Sequence, residues 1–323
     1  MGNIIAKIGI YGDIHLSSKN YGAHRDYPKE SLEYFHAITE VARKNNLTHL
    51  IGCGDFTYGR FISLEYRLAV ERELEEQYHL TSGRRYELKG NHDEAGYGFT
   101  ERDYYIQKGL LHPSTNLQLG SLNLSMVDYD KYKETPVIIS DDEIHVNMIV
   151  AHDFFKFHNS QIANFGKAIE LDNFEKWFGL DYLVLGHVHK IMNFKGYITK
   201  NGMAHEVEVN YLGCMTRPSY KEGSMDEVGQ VLIISVYDDG KIDIDTEIIQ
   251  LWPLDKSFNL EQKAVQKQKE AEKAARVDIS DIVKQLDAHD RNIGNPEDII
   301  NSMEGIDERY KSKAVELLKN AMG

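Results

Sequence analysis

The stretch Ile4-Ile5-Ala6-Lys7-Ile8-Gly9-Ile10 runs directly into Tyr11-Gly12-Asp13-Ile14-His15, so an apolar run ends in polar side chains rather than in an ordinary turn. Four later apolar runs end in the same way. They lead into Gly54-Asp55, Gly90-Asn91-His92-Asp93, Ala151-His152-Asp153 and Gly186-His187-Val188-His189. Short apolar runs of this kind fit buried strands, although periodicity alone does not exclude helix.

Helical patterns separate these runs. Apolar side chains recur on one face over residues 28–45, residues 64–78 form a charged helix candidate, and residues 172–178 a short one. Alternating strands and helices predict a layered α/β domain. Ligands of open α/β sheets bind beyond the carboxyl ends of the strands, where the five polar clusters stand. We therefore expect the clusters to converge on one site.

The character of the chain changes after the last cluster. Strand-like runs at residues 206–212, 231–237 and 241–251 include a hairpin turn at Asp238-Asp239-Gly240. We place a boundary near Asp255, so residues 1–255 are expected to form the main domain. Residues 256–277 are rich in Lys, Glu, Gln and Ala and form either a polar helix or a linker. Apolar spacing over residues 278–323 predicts a helical tail.

Composition limits the broad class of the protein. The 323 residues, 41% hydrophobic and 27% charged, are ordinary for a globular chain, and no apolar run is long enough to cross a bilayer. The N-terminus lacks the regions of a signal peptide, and only Cys53 and Cys214 are present, so we expect a cytoplasmic protein without a membrane partner. A net charge of −14 argues against a whole-surface attraction for nucleic acid, but it leaves room for a local basic groove.

The polar clusters are weak signals singly, because a lone His is more often a core or surface residue and Asp55 could close a turn. Together they supply oxygen and nitrogen donors without a Cys. The candidate ligands are Asp13, His15, Asp55, Asn91, His152, His187 and His189. Such a set suits divalent manganese, iron or zinc. Two ions sharing one carboxylate can clamp both reacting oxygens of a phosphate ester, so the sequence predicts two-metal hydrolysis.

This pattern resembles the calcineurin-like metallophosphoesterase superfamily, whose motifs are D-x-H, G-D, G-N-H-D, a lone His and G-H-x-H. All five occur over roughly residues 1–190. The resemblance implies two packed mixed sheets flanked by helices, here followed by the small C-terminal helical region. It assigns the first metal to Asp13, His15 and His189, the second to Asn91, His152 and His187, and the bridge to Asp55. Manganese is the expected metal, with iron, zinc and magnesium as alternatives.

The resemblance also implies a catalytic acid. His92 would contact the phosphate and donate a proton to the leaving oxygen, and Asp93 would orient or charge the imidazole. The rival interpretation makes His92 a metal ligand.

Three features resemble the SbcD-like DNA repair exonuclease branch, known from bacteria and phages. They are the polar loop at residues 17–27, the segment Tyr211-Leu212-Gly213-Cys214-Met215-Thr216-Arg217, and the hairpin at residues 230–251. The branch implies DNA as substrate, an SbcC-like, SMC-type ATPase docked on the C-terminal helices, and a homodimer. The tail could instead pack on its own core. Tyr58 and Cys214 depart from the branch, which commonly has His and Ser there.

Several functions share the metal motifs. The alternatives are a small-molecule or cyclic-nucleotide phosphodiesterase, a protein phosphatase and a non-catalytic scaffold. Candidate substrate contacts beside the motifs are Tyr58, Arg60, Lys19, Arg25 and Lys190. A basic residue at such a position could equally be a solvated surface charge.

Overall fold

The computed structural model describes residues 2–21, 23–58, 62–93, 98–158, 168–172, 174–217 and 228–259, with Glu261, Val265, Lys311 and Val315. The chain divides into two compact units, Met1–Asn259 and Leu260–Gly323. The first unit ends slightly beyond the boundary expected near Asp255. Nearly all of the predicted linker and helical tail lies outside the described residues.

The described residues of the first unit form thirteen strands. They are β1 (Ile4–Tyr11), β2 (His49–Gly52), β3 (Arg85–Glu87), β4 (Asn116–Leu119), β5 (Leu122–Val127), β6 (Val146–Ala151), β7 (Phe155–Lys156), β8 (Ile169–Glu170), β9 (Tyr182–Leu185), β10 (Ile191–Lys200), β11 (Met203–Leu212), β12 (Val228–Tyr237) and β13 (Ile242–Gln250). The helices are α1 (Tyr27–Asn45), α2 (Leu64–Leu80), α3 (Glu101–Gln107) and α4 (Leu254–Ser257), with a 3₁₀ turn at Glu175–Trp177.

Two mixed sheets carry the fold. The first has the strand order β13-β12-β1-β2-β3, and its β1, β2 and β3 are parallel. The second has the order β10-β11-β9-β6-β5-β4, and its β5, β6, β9 and β11 are parallel. In each sheet the antiparallel strands lie toward the edges. All five motif-bearing strands therefore belong to the parallel portions of the sheets, with β3 at an edge of the first sheet.

The two sheets pack face to face. Alternate residues of β1, including Ile8 and Ile10, meet Met148 of β6 and Val184 of β9 in one buried cluster. Burying an isoleucine side chain fully contributes about 1.5–3 kcal/mol, and Ile8 and Ile10 are fully buried. Helices α1 and α2 cover the outer face of the first sheet, and Trp177 lies in the cluster on the outer face of the second. The predicted layered α/β fold is confirmed.

Helix α1 shows how local sequence sets an element. The Asp26 side chain caps its N-terminus by accepting from Lys29 N, Pro28 occupies the first turn, and Asn46 ends the helix in the left-handed conformation. Phe35 and Ile38 are buried against the first sheet, as their spacing predicts. The helices predicted near residues 28–45 and 64–78 are confirmed, whereas the described residues of 172–178 form a 3₁₀ turn in place of the predicted helix.

Among the described residues, no helix is both long enough and apolar enough to span a membrane.

Candidate functional site

The five motifs follow the carboxyl ends of β1, β2, β3, β6 and β9. Because the first three strands are parallel in one sheet and the last two in the other, their exits lie at one edge of the sandwich. The structure brings together the seven side chains that the sequence predicts as metal ligands, and they form two groups around Asp55.

The first group contains Asp13, His15 and His189. The Nε2 atoms of His15 and His189 are 3.0 Å apart, and His189 Nε2 is 3.3 Å from Asp13 Oδ2. With one oxygen of Asp55, their ligand atoms all lie within 4.8 Å of one another. Asp13 and His15 are fully buried, whereas the His189 side chain is 17% exposed, so this group opens to the surface at His189.

The second group contains Asn91, His152 and His187. Asn91 Oδ1 is 3.1 Å from His152 Nε2 and 2.8 Å from His187 Nδ1. The other ring nitrogen of His152 lies 2.7 Å from the carbonyl oxygen of Cys53, which orients the imidazole. One amide oxygen and two imidazole nitrogens therefore converge.

Asp55 lies between the groups. Its Oδ2 atom is 3.8 Å from His15 Nε2 and 3.3 Å from His152 Nε2, so a single carboxylate oxygen faces both. Its Oδ1 atom accepts a hydrogen bond of 2.8 Å from the backbone of His92. This is the placement that a shared ligand requires.

The two groups differ in their electrostatics. Burial lowers the pKa of His15 to about 3 despite the neighbouring carboxylates. Burial also opposes a charge on His152, but the Asp55 and Asp13 carboxylates outweigh it and raise the pKa of His152 to about 10. Both carboxyl groups are buried, yet the charge of His152 keeps their pKa values below the ordinary range. The two buried carboxylates therefore require a positive charge close to them.

The donor set fits divalent metal ions. Imidazole nitrogens of His15 and His189 lie 3.0 Å apart among carboxylate oxygens, and the second group adds the amide oxygen of Asn91, so both groups are rich in acceptors that a cation satisfies. Oxygen and nitrogen donors of this kind suit a borderline or hard ion. The Cys214 sulfur also lies within 4.8 Å of ligand atoms of His15 and His189.

Three ligands lie on strained backbone. His15, Asp55 and His187 have positive φ angles of 50°, 51° and 72°, a region that costs other residues than glycine about 1–3 kcal/mol. Gly54 is also required, because a Cβ there would lie 2.6 Å from His152 Nδ1. The surrounding contacts must therefore hold these loops against their intrinsic preference.

His92 stands at the opening of the pocket. It is half-buried, and its ring meets the His15 ring edge-on at a centroid distance of 5.0 Å. The Tyr58 ring stacks on it at 4.9 Å and 28°. Tyr58 was expected to contact substrate in place of an imidazole, and the structure places its ring against the candidate acid.

Asp93 differs from the expectation. Its carboxylate accepts hydrogen bonds from the backbone amides of Phe56, Thr57 and Gly90, rather than from the His92 ring. Burial and the Asp55 charge raise the pKa of Asp93 to about 7. Its hydrogen bonds link the Asp55 loop to the Asn91 loop. The side chain that packs against the His92 ring is Tyr58.

The basic candidates are more dispersed. Lys19 and Lys190 are exposed beside the ligand loops, whereas Arg25 Nε donates to the backbone oxygen of Asp255. Arg60 lies outside the described residues. Tyr27 and Thr216 were not predicted from the sequence. Their hydroxyl groups donate hydrogen bonds to backbone carbonyl oxygens of the first ligand loop. Thr216 falls in the segment 211–217 and Tyr27 at the end of the loop 17–27, and the resemblance of these two stretches gave no contact.

The family profile of the sequence agrees with this geometry. No curated protein matches the sequence. The chain is similar to the crystal structure of a dimetal phosphatase from Danio rerio, with 12% identity and a TM-score of 0.43 over 77% of this chain and 100% of that chain. The sequence profile of calcineurin-like phosphoesterases matches residues 6–191, which include all five motifs. Because the match covers more than half of the chain, the protein belongs to the calcineurin-like phosphoesterase family and is a metal-dependent hydrolase of phosphate esters.

Proposed function

We propose that the protein is a two-metal phosphodiesterase of the SbcD-like branch that cleaves DNA, with manganese as its metal. The observation that carries the two-metal assignment is the position of Asp55 Oδ2, which faces His15 and His152 at 3.8 and 3.3 Å. Asp13, His15 and His189 would hold one ion, and Asn91, His152 and His187 the other. When bound, the ions supply Lewis acidity and neutralise charge on the phosphate.

His92 is the proposed general acid. Asp55 accepts from its backbone amide, while the Tyr58 ring and the edge of the His15 ring fix the plane of its imidazole. Half-buried at the opening, the ring is positioned to donate a proton to the oxygen that leaves the phosphorus. Asp93 supports the reaction only by holding the backbone of the ligand loops.

The DNA assignment draws its support from residues 211–217, whose sequence resembles the branch. In this protein Cys214 and Thr216 contact the first ligand loop directly. The exposed Lys19 and Lys190 flank the opening and are proposed to contact backbone phosphates. The net charge of −14 makes such local contacts necessary for a polyanionic substrate.

We propose further that the C-terminal helical tail docks on an SbcC-like ATPase, and that the enzyme acts as a cytoplasmic homodimer. This rests on the resemblance and on the apolar spacing of residues 278–323, which lie almost wholly outside the described structure.

The direct test is manganese-dependent release of nucleotides from end-labelled linear duplex DNA, run beside a cyclic dinucleotide and a phosphorylated peptide. DNA degradation that His92→Ala abolishes while both ions remain bound would support the proposal. Cleavage of the cyclic dinucleotide alone would replace the DNA assignment with a small phosphodiester. Loss of metal from the His92→Ala variant would make His92 a ligand rather than an acid.

A test of partner docking requires a truncation that leaves the catalytic unit intact. Ser257 and Phe258 are buried, and Asn259 N donates to Ala23 O, so a chain ending at Asn259 keeps these contacts. This truncated chain should retain its metal sites but fail to bind an SbcC-like ATPase in a pull-down. Binding equal to that of the full chain would exclude the tail as the docking element.

A further inference from the structure

The loop that carries the first metal's ligands is held from outside by a second segment. Three consecutive carbonyl oxygens accept hydrogen bonds. Asp13 O accepts from Met215 N at 2.8 Å and from Cys214 Sγ at 3.2 Å. Ile14 O accepts from Thr216 Oγ1 at 3.0 Å, and His15 O accepts from the Tyr27 hydroxyl at 2.9 Å. We call Tyr27 with residues 214–216 the loop clamp.

The ligand loop needs such support. Strand β1 ends at Tyr11, so the ladder of the first sheet stops before Asp13. Beyond it the loop is bridged to Cys214 at Asp13, and on its other side His15 N donates to Asp55 O at 2.9 Å. His15 is held at a φ of 50°, which a residue with a Cβ adopts only when its surroundings impose it. Buried carbonyl groups also require hydrogen-bond partners. The loop clamp supplies these partners.

The loop clamp is itself firmly anchored. Met215 and Thr216 are buried, and the next residue, Arg217, is buried beside Glu30. Arg217 Nη2 donates to Ser257 Oγ at 3.2 Å and to Trp252 O. Ser257 Oγ in turn donates to Glu30 Oε1 at 2.8 Å. This buried network fixes the end of residues 214–216 to helix α1 and to the last turn of the catalytic unit.

These contacts are confined to one side of the site. The loop clamp bonds the backbone of Asp13 and His15, which belong to the first group. In the second group, His152 is oriented by Cys53 O, and Asn91 contacts the two imidazoles directly. Loss of a clamp hydroxyl should therefore disturb the first metal and spare the second.

We propose that Tyr27 and Thr216 are positioning residues that set the affinity of the first metal site. The proposal rests on the two-metal centre proposed above. Thr216 lies beyond residues 6–191, which match the family profile, so this role belongs to a part of the chain that the profile does not reach. Partners that orient metal ligands typically contribute about 10–100-fold to metal affinity.

The test is manganese binding to the full chain, measured by isothermal titration calorimetry in two backgrounds. His187→Ala removes a ligand of the second group and reports on the first site, and His189→Ala does the reverse. Thr216→Val and Tyr27→Phe should each weaken manganese binding by about tenfold in the His187→Ala background. In the His189→Ala background each should change it less than about twofold, well below that range.

Matched controls separate positioning from general stability. Thr81→Val and Tyr105→Phe remove the hydroxyls of two other buried residues, which donate to backbone carbonyls of helix α2 at Gln77 O and Arg67 O. Neither should change manganese affinity in either background. Thr216→Ser keeps the hydroxyl and should restore the affinity of the first site, even if Thr216→Val lowers the melting temperature.

The outcomes are distinct. Equal weakening in both backgrounds, no weakening in either, or equal effects of the control variants would overturn the positioning role. Failure of the unsubstituted chain to bind two ions would instead refute the two-metal centre on which the role rests.

Discussion

The two halves of the candidate metal centre are built differently. In the first, the ligands Asp13 and His15 belong to a strained loop whose backbone is bonded by residues distant in sequence, Tyr27, Cys214 and Thr216. In the second, the ligand side chains hold one another through Asn91. The first half is held through the backbone of its ligand loop, whereas in the second the contacts are made by the ligand side chains themselves and by Cys53 O, which orients His152.

The two halves also differ in the charge of their histidines. Burial favours neutral His15, while Asp55 and Asp13 favour charged His152 despite its burial. In the protein alone, a proton on His152 therefore offsets part of the charge of the two carboxylates. Metal ions must replace this proton, because imidazole binds a metal in its neutral form. Asp55 belongs to both halves and is the residue on which the comparison depends.

The largest effect is expected from Asp55→Asn, which keeps the shape but removes the shared charge. Both halves should lose affinity, and turnover should fall by roughly a thousandfold or more, beyond the 10–100-fold of residues that only orient ligands. Metal content by mass spectrometry and turnover of a phosphodiester check this. Retention of two tightly bound ions would contradict the shared role of Asp55.

A change confined to one half should come next. Asn91→Leu removes the amide oxygen near both His152 and His187, so the protein should keep one manganese ion per chain and lose at least about 100-fold in turnover. His189→Ala is the reciprocal variant and should retain the other ion. Loss of both ions from either variant would show that the halves do not bind independently.

A smaller effect is expected from the ring that braces His92. Tyr58→Leu removes an aromatic stack of the kind that contributes about 0.5–1.5 kcal/mol, so kcat should fall about 2- to 10-fold with little change in KM. Tyr58→Phe keeps the ring and should retain activity. A rise in KM with unchanged kcat would instead make Tyr58 a substrate contact, as the sequence first suggested.

The smallest effect concerns the exposed lysines. If DNA is the substrate, Lys190→Gln should weaken binding uniformly across sequences and reduce the salt slope by about one, as expected for one phosphate contact. Fluorescence anisotropy over a range of salt concentrations measures this, with Lys29→Gln, an exposed change on helix α1, as the control. An unchanged slope would make Lys190 a solvated surface charge.

Much of the fold was readable from the sequence because apolar strands ended in polar motifs. Strand β5 was missed, since Asn123 and Ser125 interrupt its apolar pattern. Both are buried and form hydrogen bonds with Ser140 and Ile138, so polar residues occupy a core strand. Strand β10 was missed because it belongs to a partly exposed hairpin with a mixed pattern. Both strands depend on tertiary contacts, which the local sequence pattern does not show.

The types of the metal-ligand residues could also be predicted from the sequence. The residues that hold these ligands in place could not. The contact of Thr216 with Ile14 joins residues far apart in the chain, and no local pattern announces it. No local pattern predicts the backbone strain at His15 either. Nor does one predict the three backbone amides that donate hydrogen bonds to the Asp93 carboxylate. Proximity in sequence suggested that Asp93 serves His92, whereas the packing assigns the bracing contact to Tyr58.

The most direct test of the central claim is electron paramagnetic resonance of the protein loaded with two equivalents of manganese. An Asp55 carboxylate that faces both groups predicts a spin-coupled pair, and Asp55→Asn should abolish the coupling. Spectra of isolated ions at two equivalents, or saturation at one ion per chain, would contradict a shared two-metal centre.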